Sequence, residues 1–152
     1  MPELNTYYTG EPFTPREGTR CAVALDTSSG IPYDFLIAQL CTIKEKFSGL
    51  KNFEILLYSF EIRVYGPTRY TPANLENITN FECHISGGTC FYPIYNTMVE
   101  SGADTFVMFT DGYFAEPVRD VVDPRLNIFL VGHEYGSVNW LPTCSITYCD
   151  FT

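Results

Sequence analysis

The sequence predicts a three-layer α/β/α sandwich whose sheet is mostly parallel, with one antiparallel edge strand. Apolar runs that are typical of strands buried on both faces occur at residues 21–25, 53–60, 105–109 and 126–131. Segments with helical apolar spacing lie between several of these runs, and such alternation is typical of parallel sheets covered by helices. With 152 residues, the chain has the size of one domain and can bury a core.

The two ends of the chain are predicted to lie outside this domain. Residues 1–20 contain several proline and glycine residues and show no periodicity, so we predict an irregular N-terminal arm. The domain is predicted to span residues 21–142, and residues 143–152 to form a C-terminal tail packed on it. A first helix is expected after the first strand, because apolar residues recur at helical spacing between Phe35 and Phe47.

The second strand is predicted to enter a hairpin. Residues 62–65 alternate in polarity and follow residues 53–60 almost directly, which favours a tight antiparallel turn and an edge position. Gly66 and Pro67 are predicted to end this third strand.

The second half of the chain is predicted to add a helix and three strands. Phe91, Ile94 and Met98 mark one face of a second helix. Residues 113–124 are predicted to form a short helix or an extended loop, and residues 138–141 a short last strand.

Charge and hydropathy exclude several functions. The net charge of −9 argues against nucleic acid and anionic membranes as partners, because no stripe of lysine and arginine could track phosphates. No apolar stretch approaches the roughly 20 residues needed to span a bilayer. The first residues lack the pattern of a signal peptide, so we expect an acidic cytoplasmic protein.

Polar residues stand where three of the predicted elements end or begin. Asp26 and Ser28 follow the first strand, Thr89 precedes the second helix, and Asp111 follows the fourth strand. Carboxyl ends of parallel strands share one edge of the sheet, where open α/β folds bind their ligands. Because hard cations prefer oxygen ligands, we predict a site for Mg²⁺, or for Mn²⁺ or Ca²⁺. The predicted periphery of the site consists of Ser29, Gly30, Gly87, Gly88 and Gly112.

This pattern resembles the metal-ion-dependent adhesion site of the von Willebrand factor type A (VWA) family. The family pattern is Asp-x-Ser-x-Ser, then a Thr, then an Asp after a later strand. Asp26-Thr27-Ser28, Thr89 and Asp111 match it, and the likeness covers roughly residues 20–142. More narrowly, the chain resembles the compact VWA-like domain at the C-terminus of predicted bacterial metallopeptidases. The residues that carry this narrower likeness are Gly87-Gly88-Thr89, Phe91-Tyr92-Pro93, Phe109-Thr110-Asp111-Gly112, and the ending Phe129-Leu130-Val131 with Tyr135-Gly136-Ser137-Val138.

The resemblance implies a Rossmann-like fold of the VWA type and a non-catalytic protein-binding function. In the family, a bound cation bridges to an acidic residue of a protein partner, and relatives of the compact type are associated with ring-forming AAA+ ATPases. This chain departs from the pattern at one position, because Gly30 stands where the family has its second serine. The departure removes one hydroxyl ligand, so the adhesion site is degenerate unless water replaces that oxygen.

Two alternatives to a binding module remain open: a scaffold subunit without metal, and a metal-dependent hydrolase. We predict that the chain is not an enzyme, because it has two histidines and no His-Glu-x-x-His motif for zinc. A cysteine nucleophile is conceivable at Cys83 or Cys90, but a buried structural cysteine is the commoner role for such residues.

Overall fold

The computed structural model describes residues 4–8, 13–28, 31, 33–83, 85, 87–116, 118, 123–131 and 145–151. The strands in these ranges are β1 (Leu4–Tyr8), β2 (Thr19–Asp26), β3 (Phe53–Phe60), β4 (Val64–Tyr70), β5 (Thr105–Thr110), β6 (Leu126–Val131) and β7 (Ser145–Phe151). The helices are α1 (Tyr33–Phe47) and α2 (Phe91–Glu100), and a 3₁₀ helix spans Leu75–Asn80.

The described strands form a single seven-stranded sheet in the order β1-β7-β6-β5-β2-β3-β4. Strands β2, β3, β5, β6 and β7 are parallel to their neighbours within this set. The two edge strands, β4 and β1, are antiparallel to β3 and β7. The predicted fold class is confirmed, and the sheet carries a second antiparallel edge strand that was not expected.

Strand β2 lies at the centre of the described core and is buried on both faces. Its residues Cys21, Val23 and Leu25 pack in the cluster that contains the apolar face of α1. Ala22 and Ala24 point the other way, into the cluster that contains Phe91, Ile94 and Met98 of α2. Because side chains alternate between the two faces of a strand, this arrangement gives three layers, helix on sheet on helix.

Strand β4 is longer than predicted and continues through Gly66 and Pro67 to Tyr70. Proline is tolerated on an edge strand because no further strand needs its missing N–H. Gly66 sits beside an irregularity in the β3–β4 pairing, and a Cβ at this position would stand 2.8 Å from the Leu57 carbonyl oxygen. These residues therefore fit a close approach between the strands rather than a strand end.

Both ends of the chain contribute to the sheet. Residues Leu4–Tyr8, within the segment predicted to be an irregular arm, form β1 and pair with β7 in antiparallel register. Strand β7 lies within the predicted tail and runs parallel to β6. The strand predicted at residues 138–141 lies outside the described residues.

The remaining predicted elements concern connections. The turn predicted near Leu75 is a 3₁₀ helix, whereas residues 113–116 of the predicted crossover contain no helix. In the described part of the chain, no helix is both long and apolar enough to cross a membrane.

Candidate metal centre

Asp26 is the last residue of β2, and its side chain is fully buried at the carboxyl edge of the sheet. One carboxylate oxygen, Oδ1, accepts a hydrogen bond of 2.9 Å from the Ser28 backbone N–H. The other, Oδ2, accepts one of 2.7 Å from the Thr110 hydroxyl at the end of β5. The carboxylate is therefore held by its own loop and by the neighbouring strand.

Burial raises the pKa of Asp26 from its ordinary value of 3.8 to about 6, because the charged form loses its hydration. Hydrogen bonds from Thr110 and from the backbone and hydroxyl of Ser28 oppose this rise, and the nearby Asp111 charge adds to it. Asp26 is consequently still an anion at neutral pH, at a cost in desolvation. A cation beside it would offset part of that cost.

Asp111 follows β5 directly and is half-buried, and its Oδ1 accepts a 3.1 Å hydrogen bond from the Tyr113 N–H. Burial also raises the pKa of Asp111. Strands β2 and β5 are parallel neighbours with Leu25 opposite Phe109, so the residues that follow emerge side by side. Among the described residues, no lysine or arginine forms an ion pair with either carboxylate.

Thr89 is buried in the loop that leads into α2. Its carbonyl oxygen accepts a 2.7 Å hydrogen bond from the Ala115 N–H, in the loop after β5. The next residue, Cys90, donates its N–H to the Glu61 carbonyl oxygen at 3.0 Å, at the end of β3. These two bonds fix the Thr89 loop between the ends of β3 and β5, with β2 between those strands.

Ser28 is buried beside Asp26, and its carbonyl oxygen accepts a hydrogen bond from the Ile31 N–H at 3.1 Å. Gly112 donates its N–H to the Thr110 hydroxyl oxygen at 3.1 Å, and Gly87 and Gly88 are exposed. Two predicted peripheral residues, Ser29 and Gly30, lie outside the described residues.

The four predicted ligands thus come from three loops at one edge of the sheet. Direct contact is described between Asp26 and Ser28, Asp111 acts on Asp26 through its charge, and Thr89 is tied to the flanking strand ends. Their donor set fits Mg²⁺, because two carboxylates and two hydroxyls are hard oxygen ligands, and no described lysine or arginine pairs with the two carboxylates. Within the described residues, no group of three or more His, Cys, Asp or Glu side chains could hold a metal ion. A site here would therefore depend on hydroxyl ligands and water.

Sequence reasoning missed two residues that organise this edge. The Thr110 hydroxyl donates a hydrogen bond to the Asp26 carboxylate. Its position as the last residue of a buried strand, directly before Asp111, could have indicated that it contacts the site. Glu61 is buried just after β3, and its carboxylate accepts hydrogen bonds from the Arg63 N–H and the Tyr65 hydroxyl at 3.3 and 3.1 Å. A charged residue directly after an apolar strand was the available signal.

A nucleophilic role for Cys83 finds no support in its surroundings. Burial raises the pKa of the Cys83 thiol to about 11, so the reactive thiolate is scarce at neutral pH.

The fold resembles that of a solved structure at low sequence identity. The chain is similar to the ArnB paralog VWA2 from Sulfolobus acidocaldarius, with a TM-score of 0.59 and 12% identity over 86% of this chain and 38% of that chain. It therefore spans less than half the length of VWA2. An uncharacterized membrane spanning protein from Vibrio fischeri aligns with a TM-score of 0.41 and 14% identity over 74% of this chain and 71% of that one.

No protein-family model matches the chain, and no curated protein matches it in sequence. The likeness to VWA2 rests on the fold. The chain has a VWA-like α/β fold.

Proposed function

We propose that this chain is a non-catalytic VWA-like protein-binding module. Asp26, Ser28, Thr89 and Asp111 would hold a divalent cation, with Mg²⁺ as the first choice and Mn²⁺ or Ca²⁺ as substitutes. The cation would supply an open coordination position for an acidic side chain of a protein partner. The observation that carries the proposal is the pair of neighbouring buried or half-buried carboxylates, for which the described residues provide no basic counter-charge.

The residues themselves would each have a distinct role. Asp26 would anchor the cation or one of its waters, because its carboxylate is already oriented by Ser28 and Thr110. Asp111, which is less buried, would face the partner's side of the cation. Water would stand in for the hydroxyl that Gly30 lacks, so the affinity is expected to be low. A ring-forming AAA+ ATPase is the partner class that the family resemblance favours for testing.

The proposal is tested by thermal unfolding of the purified chain with EDTA and with increasing Mg²⁺. A ligand that binds only the folded state raises the melting temperature, because it adds RT ln(1 + [L]/Kd) to the stability. We expect a small rise for the natural chain, a larger rise for Gly30→Ser, which restores the hydroxyl, and none for Asp111→Asn.

Asp104→Asn is the matched control, because Asp104 precedes β5 at the amino ends of the parallel strands. There its carboxylate accepts hydrogen bonds from the Thr19 hydroxyl and the Arg20 N–H. The melting temperature of this control should respond to Mg²⁺ as that of the natural chain does. The same Mg²⁺ response in Asp111→Asn and in the natural chain would contradict the proposal and favour a scaffold role without metal.

A further inference from the structure

Three of the five large apolar side chains that the described surface exposes follow strands that end at the candidate metal centre. The five are Tyr33, Ile62, Ile85, Val99 and Tyr113, and their exposed fractions are 63%, 55%, 44%, 39% and 53%. Val99 lies on α2 and Ile85 in the loop before α2, whereas Tyr33, Ile62 and Tyr113 lie in the segments that follow the carboxyl ends of β2, β3 and β5. We call the three residues that follow these strands, Tyr33, Ile62 and Tyr113, the apolar rim.

The topology brings the apolar rim together around the centre. Tyr33 starts the helix after β2, Ile62 lies in the turn after β3, and Tyr113 follows β5. These three strands are adjacent in the order β5-β2-β3, so their ends are separated by only about 5 Å per strand. The Ile62 side chain also lies against the loop before Thr89, since its Cδ1 is 3.0 Å from the position of a Cβ on Gly88.

The charges beside the apolar rim are mostly negative. Asp111 is half-buried next to Tyr113, and Arg63 is the exposed base in the turn that carries Ile62. Two exposed acidic residues lie close in sequence to the rim, Asp34 in the first turn of α1 and Glu116 in the loop after β5. The net charge of the whole chain, −9, has the same sign. A complementary surface would therefore combine apolar side chains with lysine or arginine at its border.

We propose that the apolar rim is a docking surface for a protein partner that presents aliphatic or aromatic side chains bordered by lysine and arginine. This inference rests on the proposed function in one respect, that the chain is a binding module. Exposed apolar side chains that cluster on one surface commonly mark interaction sites, and tyrosine is enriched among residues that dominate binding. Apolar contacts need no cation, so the rim binds its partner even when Mg²⁺ is removed.

The test is a selection from a random-peptide phage library on the purified chain in EDTA. Enriched peptides are synthesised, and their binding is measured by fluorescence polarisation in EDTA and in Mg²⁺. We expect them to be rich in apolar residues and in lysine or arginine. The double variant Ile62→Ser/Tyr113→Ser should weaken their binding by about tenfold or more. The exposed Val99→Ser variant is the matched control and should bind as the natural chain does.

Melting curves of the variants establish that each is folded, which is expected because all three positions are exposed. Equal binding by the natural chain and the Ile62→Ser/Tyr113→Ser variant would overturn the inference, as would a selection without enrichment. Enrichment of acidic peptides that bind only with Mg²⁺ would overturn it while supporting the proposed function. Rim-dependent binding in EDTA without a Mg²⁺-induced melting shift would support the rim and contradict the metal site.

Discussion

Asp26 illustrates at the residue scale how a site can be prepared for a cation. Its carboxylate is fully buried and receives hydrogen bonds from Ser28 and Thr110, yet its pKa rises to about 6. Hydrogen bonds alone therefore do not offset the loss of hydration. A proton at low pH, or a cation at neutral pH, would restore the balance of charge.

Gln39 is a second buried polar residue with unusual surroundings. It lies on α1 with no exposed surface, and no described residue forms a hydrogen bond with its side-chain Oε1 or Nε2. A buried amide without partners costs about 1–3 kcal/mol of stability.

We predict that Gln39→Leu raises the free energy of unfolding by about 1 kcal/mol or more, because it removes the unpaired amide and keeps a similar volume. Urea unfolding at neutral pH measures the change. Gln39→Glu is the matched control and should lower stability, because it buries a charge in place of the amide. A loss of stability in Gln39→Leu would show that the amide has a partner in the folded protein.

At the scale of elements, the β3–β4 turn connects the loops of the candidate centre. The Phe60 carbonyl oxygen accepts hydrogen bonds from the Thr27 N–H and hydroxyl, at 2.8 and 3.1 Å. One residue later, the Glu61 carbonyl oxygen accepts the Cys90 N–H. The end of β3 thus fixes both the loop after Asp26 and the loop that carries Thr89.

Gly88 packs closely against Ile62 of the β3–β4 turn. Its φ of +66° is unfavourable for other residues, and an added Cβ would stand 3.0 and 3.2 Å from Ile62 Cδ1 and Cγ1. We predict that Gly88→Ala lowers the free energy of unfolding by about 1–2 kcal/mol from backbone strain alone, and further from the contact with Ile62.

A double-mutant cycle in urea separates these two effects. Adding Ile62→Ala to Gly88→Ala should recover the loss of stability that is due to the side-chain contact. The loss that is due to the unfavourable φ should remain. Gly49→Ala is the control, because its added Cβ meets nothing within 4 Å, and it should change stability little. Equal stabilities of Gly88→Ala and Gly49→Ala would refute the prediction.

The sequence predicts those elements whose pattern of apolar residues lies within the element itself. The apolar runs of β2, β3, β5 and β6 predict strands, because burial on both faces leaves a pattern within each run. Strands β1 and β7 escaped prediction because β1 depends on pairing with β7 across nearly the whole chain, and β7 lies between β1 and β6. Their short mixed-polarity sequences carry no such pattern.

The candidate centre was predictable to a similar extent. Residues at the strand ends, such as Asp26 and Asp111, could be found from their positions alone. The positions of Thr110 and Glu61 at strand ends also carried a signal, but their hydrogen-bond partners could not be predicted, because these depend on which strands are neighbours and on the register between them.

At the scale of the whole molecule, two aspartates are expected to change stability with pH in opposite directions. Asp26 lies at the carboxyl ends of the parallel strands, and Asp104 lies at their amino ends. Asp26 has a raised pKa, so between about pH 4 and pH 6 its folded form binds more protons than its unfolded form. Its contribution to stability therefore falls as pH rises through this window. Asp104 has a pKa lowered by hydrogen bonds from Arg20 N–H, Thr19 and Thr105, despite some desolvation. The contribution of Asp104 to stability is therefore fully present above its ordinary pKa, and it is lost as pH falls through the lowered pKa.

We predict that Asp26→Asn makes the metal-free chain more stable than the natural chain at pH 7 but not at pH 4. The difference between the two pH values should be of the order of 3 kcal/mol, since the pKa rises from 3.8 to about 6 and each unit corresponds to about 1.4 kcal/mol. The asparagine Oδ1 can still accept the Ser28 N–H, so the loop keeps this contact. Urea unfolding in EDTA at both pH values measures the effect.

Asp104→Asn provides the comparison, because it should lose more stability at pH 7 than at pH 4, the reverse of Asp26→Asn. Opposite signs in the two variants would show that the pH dependence arises from the individual sites rather than from the net charge of −9, which both substitutions change equally at pH 7. If both variants instead shifted stability in the same direction at each pH, general charge repulsion would explain the profile. Asp26 would then be no more costly to ionise than a surface aspartate, and a cation beside it would have no such cost to offset.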